Sequence, residues 1–75
     1  MSDVVKELDT EELINYLRRR DLKLKDAHYK ILRREEITGL DFLELTKEDF
    51  RSIGFALGPA TKFIKLIGNL KEQKI

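Results

Sequence analysis

The sequence predicts an all-α fold, a compact bundle of five helices in which the third is very short and the last is the longest. The first observation behind this prediction is a helix start signal, a capping residue followed by an acid three positions later. The second is an apolar spacing of about 3.6 residues along most of the chain, without the alternation typical of strands. The start signal occurs at Asp9 with Glu12, Thr38 with Asp41, and Thr46 with Asp49.

The first two helices are predicted from their caps and their apolar stripes. Helix one runs from about Thr10 to Arg20, and its last turn is basic, which suits the negative end of the helix dipole. Helix two begins with Asp26 as its N-cap and continues through Glu35. The residues predicted to face the core are Leu13, Ile14 and Leu17 in helix one and Ala27, Ile31 and Leu32 in helix two.

The remaining three helices follow from capping threonines, glycines and a proline. Helix three begins at Thr38 and helix four at Thr46, and Gly54 ends helix four in the manner of a C-terminal glycine. Helix five opens at Gly58-Pro59, because proline at the first helical position loses no hydrogen bond, and it continues to about Gln73. Its predicted inward residues are Ala60, Phe63, Ile64, Ile67 and Leu70.

Length and composition favour one small domain. We expect residues 1–7 and 73–75 to fray, which leaves a domain over residues 8–72. The chain has no cysteine, so it has neither a disulfide framework nor a thiolate zinc site, and a cytoplasmic location is expected, with the nucleus as the alternative. No apolar run approaches the ~18 residues of a membrane span, and the first twenty residues lack a signal-peptide layout.

The net charge of +1 conceals four blocks of alternating sign. Residues 1–17 carry −4, residues 18–34 carry +6, residues 35–49 carry −5 and residues 50–75 carry +4. A chain with such blocks can fold into a particle that has one acidic and one basic surface, and such surfaces favour association between copies or with a charged partner. The alternative for each block is an ordinary solvated helix face.

Residues that could support catalysis are scarce. His28 is the only histidine, so a histidine-dependent triad or a histidine pair for a metal lacks its partners, and a half-buried packing role is expected for it. The serines have no candidate base, and the glycines do not have the spacing of a phosphate-binding loop. The sequence therefore predicts a binding module rather than an enzyme, without catalytic, cofactor-binding or metal-binding residues.

The central stretch resembles the sterile alpha motif (SAM) domain family. The family pattern there contains Ile-Asp-Gly, two large apolar residues, Leu-Thr-Glu-Glu-Asp-Leu, Leu-Gly-Ile and a glycine that opens a long last helix. The likeness covers roughly residues 8–72. Its residues are Ile37-Thr38-Gly39, Phe42-Leu43, Leu45-Thr46, Glu48-Asp49-Phe50, Ile53-Gly54-Phe55 and Gly58-Pro59, preceded by Leu13-Ile14-Asn15-Tyr16-Leu17.

The resemblance implies protein–protein association with other SAM domains, of the same chain or of another protein, in a signalling or scaffold context. Many family members join head to tail, through a mid-loop surface on one copy and an end-helix surface on the next. The matching mid-loop residues here are Glu36, Leu40, Asp41, Glu44 and Asp49, of which Asp41 and Asp49 have helix capping as an alternative role. The matching end-helix residues are Phe55, Leu57, Gly58, Lys62 and Lys65, of which Phe55 has a core position as its alternative.

Two further partners follow from the basic block of residues 18–34. Some SAM domains bind RNA hairpins through a basic patch, although Ala60 stands here where such members often have a cation. Binding to an anionic lipid surface is a minor alternative, since no apolar wedge accompanies the charges. The candidate RNA-binding residues are Arg18, Arg19, Arg20, Lys23, Lys25 and Lys62, with Arg33 and Arg34 in the same block.

Overall fold

The computed structural model describes residues 2–71, with side chains from Val5 onward. Within that range the chain forms a short 3-10 helix followed by five α-helices, and it contains no strand. The predicted all-α fold is thereby confirmed, whereas the predicted end of the last helix near Gln73 lies outside the described residues. The elements are the N-terminal 3-10 helix (Ser2–Glu7), α1 (Thr10–Arg19), α2 (Asp26–Arg34), α3 (Gly39–Glu44), α4 (Lys47–Ser52) and α5 (Leu57–Lys71).

The three predicted capping boxes are present. At the start of α1 the Glu12 N–H donates to Asp9 Oδ1 at 2.8 Å, and the Asp9 N–H donates to Glu12 Oε1 at 2.9 Å. Thr38 caps α3 and Thr46 caps α4 in the same reciprocal way. Each box satisfies two N–H groups that the helix itself leaves without partners, so the starts of these helices are encoded locally.

Helix α2 starts differently from the sequence prediction. Its N-cap is Lys25, and Asp26 lies in the first turn, so the prediction of Asp26 as N-cap is wrong. The Lys25 N–H donates to Nδ1 of His28 at 3.0 Å, so an imidazole takes the place of the usual acid. Ala27 is exposed rather than inward, and Tyr29 is buried together with Leu32.

Helix α5 begins at Leu57, one residue before the predicted Gly58. The Ala60 N–H donates to the carbonyl of Ala56 at 3.1 Å, which makes Gly58 and Pro59 part of the first turn. Its buried residues are Ala60, Phe63, Leu66 and Ile67, while Ile64 and Leu70 are half-buried at the margin of the core. Gly54 has a φ of 121° after α4, in agreement with its predicted role as the residue that ends the helix.

The N-terminal segment packs against α3, which the expectation of a frayed segment over residues 1–7 did not foresee. Val5 is buried at 3% exposure, and the Gly39 N–H donates to the carbonyl of Leu8 at 2.9 Å. A Cβ atom on Gly39 would lie 1.7 Å from the Val5 carbonyl oxygen, so only glycine permits this close approach. The start of α3 is therefore held by a contact from more than thirty residues earlier.

The core is organised around the four phenylalanines of the chain. They come from α3, α4, the α4–α5 connection and α5, and in five of their six pairs the ring centroids lie between 4.9 and 5.9 Å apart. Most of the pairs meet edge to face, the arrangement that aromatic quadrupoles favour. This cluster fixes the two short helices against the long one. Its members are Phe42, Phe50, Phe55 and Phe63.

Candidate functional site

An acidic depression of about 410 Å³ lies between the end of α2 and the helices α3 and α4. Four carboxylates surround it and, in the part of the chain that the structure describes, no cation lines it, while its apolar floor comes from Ile37, Leu45 and Ile53. Three of the predicted mid-loop residues meet here, together with Glu35, which the mid-loop prediction did not include. The four acids are Glu35, Asp41, Glu44 and Asp49.

Two of these acids cap helices and face the depression at the same time. The Thr38 N–H donates to Asp41 Oδ2 at 3.3 Å, and the Thr46 N–H donates to Asp49 Oδ2 at 3.1 Å. The second oxygen of each carboxylate has no hydrogen-bond partner among residues 2–71. Capping and surface charge are therefore compatible roles. In the described part of the chain, no group of His, Cys, Asp or Glu is arranged to hold a metal ion.

Glu36 and Leu40, the other two predicted mid-loop residues, are exposed but do not line the acidic depression. Glu36 has a φ of 54° in the connection between α2 and α3, a left-handed conformation that turns the chain toward the Thr38 cap. Leu40 is 52% exposed and lies directly before Asp41 in α3. It is one of two large apolar side chains that the described residues leave exposed, and Leu57 is the other.

A basic depression of about 420 Å³ lies between the end of α1, the α1–α2 connection and the middle of α5. Of the described residues, four cations and no acid line it, together with Leu22, Leu66 and Asn69. It therefore combines two predicted end-helix residues with two residues predicted only for RNA. The four cations are Arg19, Arg20, Lys62 and Lys65.

The α1–α2 connection is tied to α5 by a hydrogen bond within this depression. Nζ of Lys62 donates to the carbonyl of Leu22 at 2.9 Å. The residues on either side of Leu22 both adopt left-handed conformations, with a φ of 54° at Asp21 and 60° at Lys23. This conformation is uncommon for residues other than glycine, so the turn that presents the Leu22 carbonyl is held by its surroundings.

The remaining end-helix residues divide between core and surface. Phe55 is only 2% exposed and packs in the phenylalanine cluster, which is the core position that the sequence leaves open as its alternative role. Leu57 is 54% exposed at the first position of α5, and Gly58 is exposed beside it. The start of α5 thus exposes one apolar side chain, with Lys62 and Lys65 about one and two turns further along the helix.

The other predicted RNA-binding residues do not join the basic depression. Arg18 and Lys23 line a separate depression of about 260 Å³ that also contains Asp21 and Asp26, so its charge is mixed. The Arg18 guanidinium lies 4.5 Å from the ring centroid of Tyr29, which is the geometry of a cation–π contact. Lys25 is exposed at the N-cap of α2 and lines neither depression.

Arg33 and Arg34 make intramolecular contacts instead of extending the basic surface. Arg33 pairs with Glu11 through two hydrogen bonds, Nε to Oε2 at 2.6 Å and Nη2 to Oε1 at 3.0 Å, which join α2 to α1. These bonds hold the pKa of Glu11 below its usual value. Arg34 donates to the carbonyl of Ile53 at 2.9 Å and pairs with Glu35 at the rim of the acidic depression.

His28 has a structural position, as the sequence predicts. Its Nδ1 accepts the Lys25 N–H, and its ring centroid lies 5.6 Å from that of Phe55. Partial burial lowers the pKa of His28 because it penalises the charged ring, and the nearby Lys25 and Lys62 lower it further. The neutral ring is therefore favoured in the folded protein, with the proton on Nε2.

The sequence groups Arg19 and Arg20 with Lys62 only as candidate RNA-binding residues, and it does not place Lys65 with them. Arg19 and Arg20 belong to one charge block and Lys62 and Lys65 to another, and nothing in their spacing predicts a common depression. Leu22, which lies between Asp21 and Lys23, was the available signal, because an apolar residue inside a charged connection indicates a packing point.

The order of elements, four short helices followed by a long C-terminal helix around one aromatic core, is that of a SAM domain. None of the helices within residues 2–71 is long and apolar enough to cross a lipid bilayer.

Comparison with known proteins agrees with this assignment. The sequence model of the SAM-like domain family matches residues 1–69, so the chain belongs to this family. The chain is also similar to the mouse protein sterile alpha motif domain-containing protein 9-like, with 38% identity over 50 residues. That match covers 67% of this chain and 3% of the mouse protein. No solved structure matches the chain. SAM domains are typically non-catalytic protein-interaction modules, and they commonly associate with other SAM domains.

Proposed function

We propose that this domain is a non-catalytic interaction module that associates head to tail with another SAM domain. The acidic depression of one molecule receives the basic residues beside α5 of the next. The observation that carries this proposal is the complete sorting of charge between the two depressions. Among residues 5–71, one depression is lined by four acids and no base, and the other by four bases and no acid.

The exposed apolar residues supply the apolar contact that an interface needs in addition to its charge pairs. A solvent-exposed ion pair contributes only about 0–1 kcal/mol, so several charge pairs must surround an apolar contact to hold two molecules together. Leu40 directly precedes Asp41, which lines the acidic depression, and Leu57 is the first residue of the helix that carries Lys62 and Lys65. We therefore assign Leu40 and Leu57 as the apolar anchors of the two surfaces.

The two surfaces share no residue, so one molecule can use both at once. Contact between different surfaces is heterologous, and it propagates into a filament when the rotation does not close or into a ring when it does. Because each surface complements the other, a second copy of the chain is the first partner to test. Repetition then adds avidity to contacts that are individually weak.

Self-association should depend on concentration and on salt. In sedimentation experiments at about 50 mM salt, the average mass should rise as the protein approaches millimolar concentration. Raising the salt to about 500 mM should lower that mass, because screening acts on exposed charges. A monomer at all concentrations in low salt would contradict self-association, and the SAM domain of a different protein would then be the partner to seek.

RNA binding is a second candidate, favoured by the convergence of Arg19, Arg20 and Lys62 in one depression. Proteins that bind single-stranded RNA usually stack its bases on exposed aromatic rings. In this domain Arg20 and Arg18 lie over the rings of Tyr16 and Tyr29, so these rings do not offer such a stacking surface. An RNA complex of this domain would depend on phosphate contacts. Its affinity should then fall by about 0.7–0.9 log unit per log unit of salt for each phosphate contacted.

A further inference from the structure

Among the residues that the structure describes, no acid neutralises the four cations of the basic depression. Within residues 2–71 the ion pairs are Arg33 with Glu11 and Arg34 with Glu35, and neither involves a residue of this depression. The lining contains no acid, and its other members are Leu22, Leu66 and Asn69. Four like charges around one concavity repel one another in the free protein, and a bound anion reduces this electrostatic repulsion.

Two of these cations are held in place before any ligand arrives. Lys62 donates one of its three ammonium protons to the carbonyl of Leu22, which is a neutral acceptor, so its full charge and two donors remain. The Arg20 guanidinium lies 5.7 Å from the ring centroid of Tyr16. A side chain that is already positioned loses less conformational entropy when it binds, which raises affinity for a ligand of matching charge.

We propose that the basic depression is a binding site for a compact polyphosphate, a small molecule with several phosphate groups on one scaffold. Its volume of about 420 Å³ lies within the range of small-ligand sites. Two guanidinium groups can form paired hydrogen bonds with phosphate oxygens, and two lysines add point charges. None of the described residues that line the depression is aromatic, so the site lacks a ring on which a nucleobase could stack and recognises phosphate groups alone.

A ligand at this site has a consequence for assembly, and that consequence rests on the proposed function. The same Lys62 and Lys65 are assigned there to the acidic depression of a neighbouring molecule. A bound polyphosphate and a neighbouring acidic surface therefore exclude each other, and the ligand dissociates the assembly.

Direct binding is tested by calorimetry with inositol hexakisphosphate as the probe, at about 50 mM salt to limit screening. The protein carries Glu44→Lys, which disrupts the acidic depression and leaves the basic one intact. Failure of the proposed assembly therefore leaves this measurement unaffected. We expect saturable one-to-one binding. Arg19→Gln with Lys65→Gln should raise the Kd by about tenfold or more, because each removes a charge-assisted contact.

The matched control is Lys30→Gln with Lys47→Gln, which removes two charges from exposed positions that do not line the depression. It should change the Kd by less than about threefold, the effect of net charge alone. An equal loss of affinity in both double variants would overturn the site, and so would the absence of saturable binding.

Two further probes distinguish the source of the phosphates. Vesicles containing phosphatidylinositol bisphosphate that bind the protein and are displaced by free inositol hexakisphosphate would support the same site with a lipid headgroup as its ligand. An RNA hairpin that needs Arg19 and Lys65 and is not displaced by inositol hexakisphosphate would contradict the proposal in favour of RNA.

Discussion

Two glycines in similar helical settings have opposite roles. Gly39 begins α3 at a point where the backbone of the N-terminal segment leaves no space for a Cβ atom. Gly68 lies inside α5, where a Cβ atom would meet nothing within 4 Å. The sequence alone leaves close packing and simple tolerance open for Gly68, and the structure indicates tolerance. The two positions therefore form a natural pair for substitution.

Gly68→Ala should stabilise the protein by about 0.5–1 kcal/mol, because alanine restricts the unfolded chain and favours the helix. Gly39→Ala should destabilise it by more than this, since the N-terminal segment must move away from α3. Urea denaturation monitored by circular dichroism measures both. A loss of stability in Gly68→Ala would show that α5 needs the glycine for a reason other than space.

The pKa of His28 makes the stability of the fold depend on pH. Because the folded-state pKa lies below the ordinary value of 6.5, the unfolded chain binds the proton first as the pH falls. The stabilisation is complete above about pH 6.5 and decreases as the pH falls through the lower folded-state value. Protonation of Nδ1 also removes the acceptor of the Lys25 N–H.

His28→Gln should remove this part of the pH dependence while keeping the cap, because a glutamine oxygen accepts the Lys25 N–H without titrating. Between about pH 7.5 and pH 5, the free energy of unfolding should fall with acidification in the wild-type chain more than in the variant. Equal slopes for the two proteins would mean that another group governs stability in this window.

At the scale of elements, α3 and α4 depend on their caps and on the core. Each has only six residues, too few for an isolated helix to persist in water. Each begins with a threonine–aspartate capping box and places one phenylalanine in the aromatic cluster. The caps satisfy the first N–H groups, and Phe42 and Phe50 anchor the helices that carry the acidic depression.

Removing one cap tests this dependence. The Asp49 N–H donates to Oγ1 of Thr46 at 3.2 Å, so Thr46→Ala should lower the free energy of unfolding by about 1 kcal/mol. Thr46→Ser keeps the acceptor and should retain most of the stability. If serine is as destabilising as alanine in chemical denaturation, the methyl group of Thr46 rather than its hydroxyl stabilises α4.

The helices could be predicted from sequence wherever their signals were local. Three capping boxes and the glycine at position 54 lie within a few residues of the boundaries they set. The start of α2 was mispredicted because a histidine provides the cap acceptor that is usually an acid. The N-terminal 3-10 helix was missed because the burial of Val5 depends on Gly39, which is distant in sequence.

The same distinction applies to the candidate site. The acidic depression could be anticipated because its four acids fall within residues 35–49, a single charge block. The basic depression could be anticipated only in part. The RNA alternative groups Arg19 and Arg20 with Lys62, whereas Lys65 joins them only through the packing of the α1–α2 connection on α5. The sequence leaves both a core and a surface position open for Phe55, because its place after Gly54 does not reveal that its ring enters the aromatic cluster.

At the scale of the whole molecule, the net charge of +1 is the sum of many acidic and basic residues that lie on different surfaces. The fold sorts four acids to one depression and four bases to another, although the blocks that carry them alternate along the chain. Two disjoint and complementary surfaces on one small domain are the requirement for head-to-tail association. The central claim is that these two surfaces bind each other in different molecules.

Charge reversal on each surface, followed by mixing, tests this claim most directly. Glu44→Lys changes the acidic depression without removing a helix cap, and Lys65→Glu changes the basic one at an exposed position. In sedimentation velocity at low salt, each variant alone should remain monomeric, because every contact needs both surfaces intact. The mixture should form one-to-one complexes, since each variant retains the surface that the other has lost. Variants that still assemble alone, or a mixture that stays monomeric, would contradict the account.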